Sequence, residues 1–374
     1  SGKQDLIAKT RLSALEFGTE YEYEVYLDGR LVELAYPTRF ATQPMWSWRT
    51  DPPAFTIAAG SCAYINETSF DRPGTPYGGG YEIFTTIAAA KPDAMIWLGD
   101  NVYYREADWE DESGMRYRYA HGRALPELQP LLASTSQYAT WDDHDYGPND
   151  ADRSYPMRDE TLEIFRDYWF NRTHGTLETP GVFHSFRWGD IDFFLLDDRF
   201  YRSPNTLPEE QREMFGQEQM RWLFDSLASS RAPFKIVVNG NQMLNPQSSD
   251  EVFSNFPAEQ RRLIDFITEA KIEGVLFLTG DRHHTVLMRR EFPGLYPLYD
   301  VTTSPLTAGL YDPKDEQTNP AVVEGTLNGK KRNFALLEFS GPRRERVLTV
   351  RVIAADGSEI WRRVVPASEL RFPD

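Results

Sequence analysis

Five short apolar runs in this 374-residue chain each end in side chains that can bind a metal ion or move a proton. The blocks are Gly60-Ser61-Cys62, Gly99-Asp100-Asn101-Val102-Tyr103, Asp142-Asp143-His144-Asp145, Gly240-Asn241-Gln242 and Gly280-Asp281-Arg282-His283-His284. The third packs three carboxylates into four residues directly after an apolar run. Burial and mutual repulsion raise carboxyl pKa values there unless cations compensate, and bound metal ions are the simplest compensation. Taken alone, such a block is also what a solvated turn capping a helix looks like. Its company, Gly-Asp-x-x-Tyr and Gly-Asp-x-His-His, turns the reading toward a shared metal centre.

Blocks this far apart meet only if the elements before them lie side by side. The runs 55–59, 94–98, 137–141, 234–238 and 275–279 read as buried strands, and 81–90, 159–170, 217–227 and 258–270 carry apolar residues at helical spacing, the last just after Pro257. Strands alternating with helices predict an α/β domain, in which the carboxyl ends of the strands border the ligand crevice. Two later pairs read as hairpins, 182–187 with 191–196 around Gly189-Asp190 and 348–354 with 359–365 around Asp356-Gly357. If strand geometry continues through Asp142 and Asp143, their side chains point to opposite faces and only one meets the ions.

The first forty residues differ. Tyr21, Tyr23, Val25 and Tyr26 alternate as a strand, Asp28-Gly29 turns, and 31–40 returns. Leu15-x-x-Gly-Thr-x-Tyr-x-Tyr looks like the tyrosine-corner region of a fibronectin III-like sandwich, which needs ~100 residues. The expected division is therefore a truncated β-sandwich-like segment at 1–45 and a catalytic domain at 46–374.

Composition excludes several classes. With hydrophobic residues at 40% the chain can fill a core, and no apolar stretch is long enough to span a bilayer. A formal net charge of -17 disfavours nucleic acid as the main partner. A single cysteine, Cys62, rules out an internal disulfide and any multi-cysteine metal site. No Walker spacing follows the glycine run 78–80, which reads as a flexible loop, and no Gly-x-Ser-x-Gly elbow supports a serine hydrolase. The chain begins without a hydrophobic signal region. Trp46, Trp48, Trp97 and Trp141 are expected in the core.

The ordered motifs are similar to those of the calcineurin-like metallophosphoesterases. More closely, Gly-Ser-Cys, Trp-Asp-Asp-His-Asp, Gly-Asn-Gln and Thr-Gly-Asp-Arg-His-His resemble the alkaline phosphatase D family, over almost the whole chain. That resemblance implies a sandwich of mixed β-sheets flanked by helices, and a hydrolase of phosphate monoesters or diesters. Position by position it implies Asp100 as a carboxylate bridging two ions, with Cys62, Tyr103 and His283 around a ferric ion. Asp143, Asp281 and either Asn241 or Gln242 fall to a second ion, whose oxygen ligands favour calcium or another hard divalent metal. His144 becomes the proton donor to the leaving group, oriented by Asp145, and Arg282 and His284 are candidate phosphate contacts. Arg282 can equally form a structural ion pair. The substrate implied is a small-molecule, lipid or polymer phosphate ester, and the location extracytoplasmic. Two other readings of the same residues are a non-catalytic metal-binding module and another metallohydrolase, such as an amidohydrolase. The first is disfavoured by the intact ligand set and His144, the second by the lack of a His-x-His pair early in the domain.

Overall fold

The computed structural model describes residues 5–247 and 251–373. In chain order the strands and main helices are β1 (Glu20–Glu22), β2 (Tyr26–Leu27), β3 (Arg30–Leu31), β4 (Arg39–Ala41), β5 (Phe55–Gly60), α1 (Glu82–Ala90), β6 (Ala94–Leu98), α2 (Glu112–Arg123), α3 (Gln129–Ser134), β7 (Ser136–Thr140), α4 (Asp143–Tyr146) and α5 (Arg158–Tyr168). They continue with β8 (His184–Trp188), β9 (Ile191–Leu195), α6 (Gly216–Ser229), β10 (Lys235–Asn239), α7 (Pro257–Glu269), β11 (Val275–Thr279), β12 (Val286–Arg290), β13 (Leu298–Thr302), β14 (Asn333–Ser340), β15 (Val347–Ala354) and β16 (Glu359–Pro366).

Two six-stranded mixed sheets form the body, in the orders β16-β15-β14-β5-β6-β7 and β12-β13-β11-β10-β9-β8. β5, β6 and β7 run parallel, as do β9, β10, β11 and β13, so their carboxyl ends lie at one edge of each sheet. Successive side chains of a strand point to opposite faces. Ile57, Ala59, Ile96 and Leu98 accordingly enter a core shared with Phe193, Ile236 and Phe277 of the second sheet. Their neighbours Ala58, Met95 and Trp97 pack outward with Phe84 of α1, Met115 of α2 and Phe165 of α5. Both predicted hairpins form, β8 with β9 and β15 with β16. Pro257 is the first residue of α7, where its missing N–H is no loss.

The N-terminal segment is less regular than its pattern. Its predicted strand breaks into β1 and β2, β1 pairs with β4, and β2 forms a two-residue hairpin with β3. Only isolated bonds bridge the break, Tyr23 N–H to Thr38 O and Val32 N–H to Val25 O. Without a second sheet to cover one face, these strands stay half-buried or exposed, and little holds a continuous ladder. The Tyr21 hydroxyl nevertheless accepts the Glu16 N–H at 2.7 Å, a tyrosine tied to backbone five residues upstream, and the Tyr23 hydroxyl docks on Ala133 O of α3.

Two further expectations are corrected. Trp97 and Trp141 are core residues, but Trp46 is only half-buried and Trp48 is 92% exposed, both lying before β5 and outside the sheets. The glycine run 78–80 is pinned: Gly78 N–H donates to Asn66 Oδ1 and Gly79 N–H to Thr307 O, with the Arg332 guanidinium packed where a Cβ on Gly79 would stand.

Candidate metal centre

The carboxyl ends of β5, β6, β7, β10 and β11 lead into the five polar blocks, and the loops fold so that four of them meet. Cys62 leaves β5 at φ 62° and Asp100 leaves β6 at φ 53°; after β11, Asp281 and His283 adopt φ 65° and 52°. Non-glycine residues rarely hold such backbone angles unless surrounding bonds impose them. Here Ala63 N–H donates to Asp100 O at 2.8 Å, Arg282 N–H to Gly280 O at 2.8 Å, and His283 N–H to Ser304 Oγ at 2.9 Å. Gly99, at φ 99°, lies where a side chain would strike Asp142.

Two groups of ligand atoms result, Cys62 with Asp100 and His283, and Asp100 with Asp143 and His144, each within 4.8 Å. Asp100 belongs to both. Its Oδ2 accepts the Tyr103 hydroxyl at 2.9 Å and lies 3.5 Å from Cys62 Sγ; Tyr103 Oη is also 3.1 Å from His283 Nε2. Ser304 Oγ donates to Cys62 Sγ at 3.1 Å, and Tyr77 Oη is 3.1 Å from His283 Nδ1, which orients the ring. The donor set fits metal ions: a thiol, a phenol, an imidazole and several carboxylates face one another with few internal cations. Buried Asp281 Oδ2 has no hydrogen-bond partner, its nearest cation being Arg282 Nη1 at 3.9 Å.

Electrostatics say the same. Burial, with Asp143, Asp145 and Asp281 nearby, raises the Asp100 carboxyl far above its ordinary range, and burial raises Asp281 as well. Burial and then the Asp100 and Asp281 charges push up the Cys62 thiol. Each of these groups is uncomfortable ionised unless a cation joins it. Burial lowers His283 to about 4 and also lowers His144, so both rings are neutral near pH 7, the form that ligates metals.

The four-residue block behaves differently from its sequence reading. The strand stops at Thr140, Asp142 caps a single helical turn, and Asp143 begins that turn. Asp143 faces the cluster because of helix geometry, not strand alternation; its Oδ2 accepts the Asp150 N–H at 2.8 Å and lies 3.9 Å from His144 Nε2. Asp145 does not orient His144. Its carboxylate accepts the N–H of Asn101 at 3.1 Å and of Asp142 at 3.2 Å, closing a capping box and tying α4 to the loop after β6. The Tyr103 ring instead positions His144, the two centroids lying 4.2 Å apart.

Asn241 and Gln242 are engaged elsewhere. The Asn241 amide donates to Asp142 and Glu251 and accepts from Arg202, while Gln242 bonds Thr302 and Asn245. Arg282 and His284 line a small cavity with Asn245, Tyr311 and Glu316. His284 is fully buried with both ring nitrogens lacking hydrogen-bond partners, and burial lowers it to about 3.

The sequence reading missed Arg199. Fully buried just after β9, it forms ion pairs with Asp142 and Glu251 and stands 3.9 Å from Asp143 and from Asp198. Asp198 in turn accepts the Asn241 N–H at 2.9 Å. The signal was present, since Asp197-Asp198-Arg199 is a sixth polar block following an apolar strand, but 191–196 was read only as half of a hairpin.

Paired mixed sheets flanked by helices, with metal-capable side chains at the carboxyl ends of their parallel strands, define a metallophosphoesterase-type sandwich. The fold matches a solved structure of PhoD with a TM-score of 0.73 at 19% identity, covering 95% of this chain and 75% of that one. It matches a purple acid phosphatase from yellow lupin (Lupinus luteus) seeds with a TM-score of 0.66 at 13% identity, covering 95% and 61%. Residues 57–344 match the model of the PhoD-like phosphatase family, and the chain belongs to that family. Alkaline phosphatase D of Bacillus subtilis (strain 168) is 25% identical over 322 residues, covering 70% of this chain; the chain spans about half, 53%, of that relative's length.

Proposed function

We propose that this chain is the catalytic unit of a metal-dependent phosphoesterase acting on small phosphate monoesters or diesters. The observation that carries the reading is Asp100, whose carboxylate is common to two overlapping groups of ligand atoms. Cys62, Tyr103, His283 and Asp100 would hold the first ion, for which ferric iron suits the thiolate and phenolate. Asp143 and Asp281, with Asp100 shared, would hold the second, calcium or another hard divalent ion. Asn241 and Gln242 contribute only by fixing neighbouring groups, given their present bonds. When bound, the ions supply an acidified water as nucleophile and neutralise the phosphoryl oxygens.

The chain's own residues do the rest. Asp100 and Asp143 would hold the ions side by side. His144, at the rim of the cluster and stacked on Tyr103, donates a hydrogen bond from its neutral ring to the departing alcohol oxygen, or a proton from the fraction that is imidazolium. Arg282 reaches the cluster edge beside Asp281 and serves as a phosphate contact; His284 is too enclosed to do so without movement of its cavity wall. Residues 1–45 form an appendage to the catalytic domain, 46–374. Among the described residues no helix is long and apolar enough to cross a membrane; the extracytoplasmic location rests on family resemblance.

Anionic sulfur and phenolate oxygen on ferric iron give charge-transfer absorption in the visible. The purified holoprotein is therefore expected to be coloured and to contain iron, and Cys62→Ser to bleach or shift the band while weakening iron retention. A colourless, fully active holoprotein whose Cys62 is freely alkylated would overturn the iron assignment.

A further inference from the structure

The cluster opens sideways into a cavity of about 630 Å³. Tyr103 and His144 form the wall nearest the ligand cluster, and Tyr64, Phe70, Tyr77, Tyr104, Trp109 and Leu310 supply most of the aromatic and apolar surface of the rest. Phe70, Tyr77 and Leu310 keep 43%, 45% and 40% of their surface exposed, a concentration of apolar area beside a polar centre. Such area marks a binding surface more often than an accident of packing. The rings are locked together: Tyr64 packs against Tyr77 and Tyr103 with centroids 4.8 Å and 5.1 Å apart.

The cavity's charges are already matched. Arg105 pairs with Asp71 at 2.8 Å and stacks on Tyr64, and Arg72 pairs with Glu106 at 2.6 Å. The remaining polar groups on the wall beyond the cluster and its tyrosines are uncharged: the Thr75 hydroxyl, the Asn149 amide and the Trp109 indole N–H, which has no hydrogen-bond partner. A second phosphate, as in a pyrophosphate or nucleotide, would meet Asp71 and Glu106 with their cations taken. A neutral flat or apolar body would instead bury its surface against aromatic faces.

Resting on the phosphoesterase reading, we propose that this cavity binds the alcohol portion of the substrate and selects phosphate esters of neutral aromatic or otherwise apolar alcohols. His144 lines both cavity and cluster, which sets the scissile oxygen between them. In the hydrolysis, water adds its oxygen to phosphorus, the P–O bond to the alcohol breaks, and the alcohol leaves with a proton.

The test compares metal-loaded protein on 2-phenylethyl phosphate and ethyl phosphate, two primary alkyl esters of similar intrinsic reactivity. The expected kcat/KM ratio is at least about tenfold in favour of the aromatic ester. Phe70→Ala narrows it about threefold or more, and Phe70→Tyr retains it. Saturation-transfer NMR with 2-phenylethanol, which needs no turnover, shows binding that Phe70→Ala weakens. Equal rates on the two esters, a ratio indifferent to Phe70→Ala, or preference for pyrophosphate would overturn the cavity assignment while leaving the phosphoesterase reading intact. Turnover of neither ester, nor of the diesters bis(2-phenylethyl) phosphate and diethyl phosphate, would sink the phosphoesterase reading, and the NMR result would then decide the cavity alone: no binding of 2-phenylethanol overturns it.

Discussion

Asp142 and Asp143 are joined by one peptide bond and live in opposite electrostatic surroundings. Asp142 points down to Arg199, whose Nε lies 2.6 Å from Oδ1, and to the Asn241 amide at 3.0 Å. Asp143 points up to Asp100 and His144, in a cluster short of cations. The lower region, Arg199 with Asp142, Glu251 and Arg202, is charge-matched and closed. In the upper region Asp143 is partly balanced by Arg199 and Asp281 by Arg282, each at 3.9 Å, while Asp100 and Cys62 have no ion pair among the described residues. A buried carboxylate with a partner is part of the scaffold; a buried carboxylate without one marks where an external cation belongs.

Removing single groups from the two regions breaks them differently. The largest catalytic effect short of metal loss is expected for His144→Ala. It should lower kcat by roughly 10² to 10⁴, the range for a positioned acid, with metal content nearly unchanged by elemental analysis. If the variant loses an ion as well, His144 is a ligand, a role its 4.8 Å neighbourhood with Asp100 and Asp143 also permits.

In the lower region the damage should appear in stability. Arg199→Met leaves the carboxylates of Asp142 and Glu251 buried without their cation, a change that costs about 3–5 kcal/mol. Denaturant unfolding should show that loss in the metal-free protein too. A change within about 0.5 kcal/mol would mean the network is not load-carrying and that the division between the regions is false.

A smaller effect is the pH dependence of the metal-free protein. Burial raises Asp145 from 3.8 to about 7, the backbone N–H groups of Asp142 and Asn101 offsetting it only in part; Asp100 and Asp281 are raised too. A carboxyl whose folded pKa exceeds its unfolded value binds more protons when folded. The stability it confers is complete below pH about 4 and declines as pH rises through the folded pKa. Asp143, held at about 2 because His144 and Arg199 outweigh its burial, works oppositely, but only below pH about 4. The histidines lowered by burial, His144, His174, His184, His283 and His284, add stability as pH rises to about 6.5 and so oppose the carboxyls below that. Between pH 6.5 and 8 the metal-free protein should therefore lose a few degrees of Tm, and metal should remove that loss by taking the place of the protons. A flat metal-free profile would show that the upper carboxylates are balanced after all.

Much of this was legible in the sequence, and the parts that were not share a cause. Strands such as β6 and β11 fall at their predicted bounds because an apolar run buried on both faces needs only local pattern to be seen. The convergence of Cys62, Asp100 and His283 follows from parallel strands sharing one end. The directions of side chains within a block did not follow. Whether Asp142 or Asp143 faces the cluster depends on the turn that starts right after Thr140. Whether Asn241 is a ligand depends on Arg202 and Glu251, 39 and 10 residues away along the chain. Asp145 was misread for the same reason: its partners are backbone N–H groups, which no side-chain motif displays. The N-terminal segment shows the converse, since its tyrosine pattern was clear but there is too little chain to make the sheet the pattern suggests.

Removal and return of the ions tests the account most directly. Treated with a strong chelator and desalted, the protein should lose hydrolysis of an activated phosphate ester and recover it when iron and calcium are restored, because the chain itself offers no other nucleophile-generating group at Asp100. Full activity in protein shown by elemental analysis to be free of metal would contradict it.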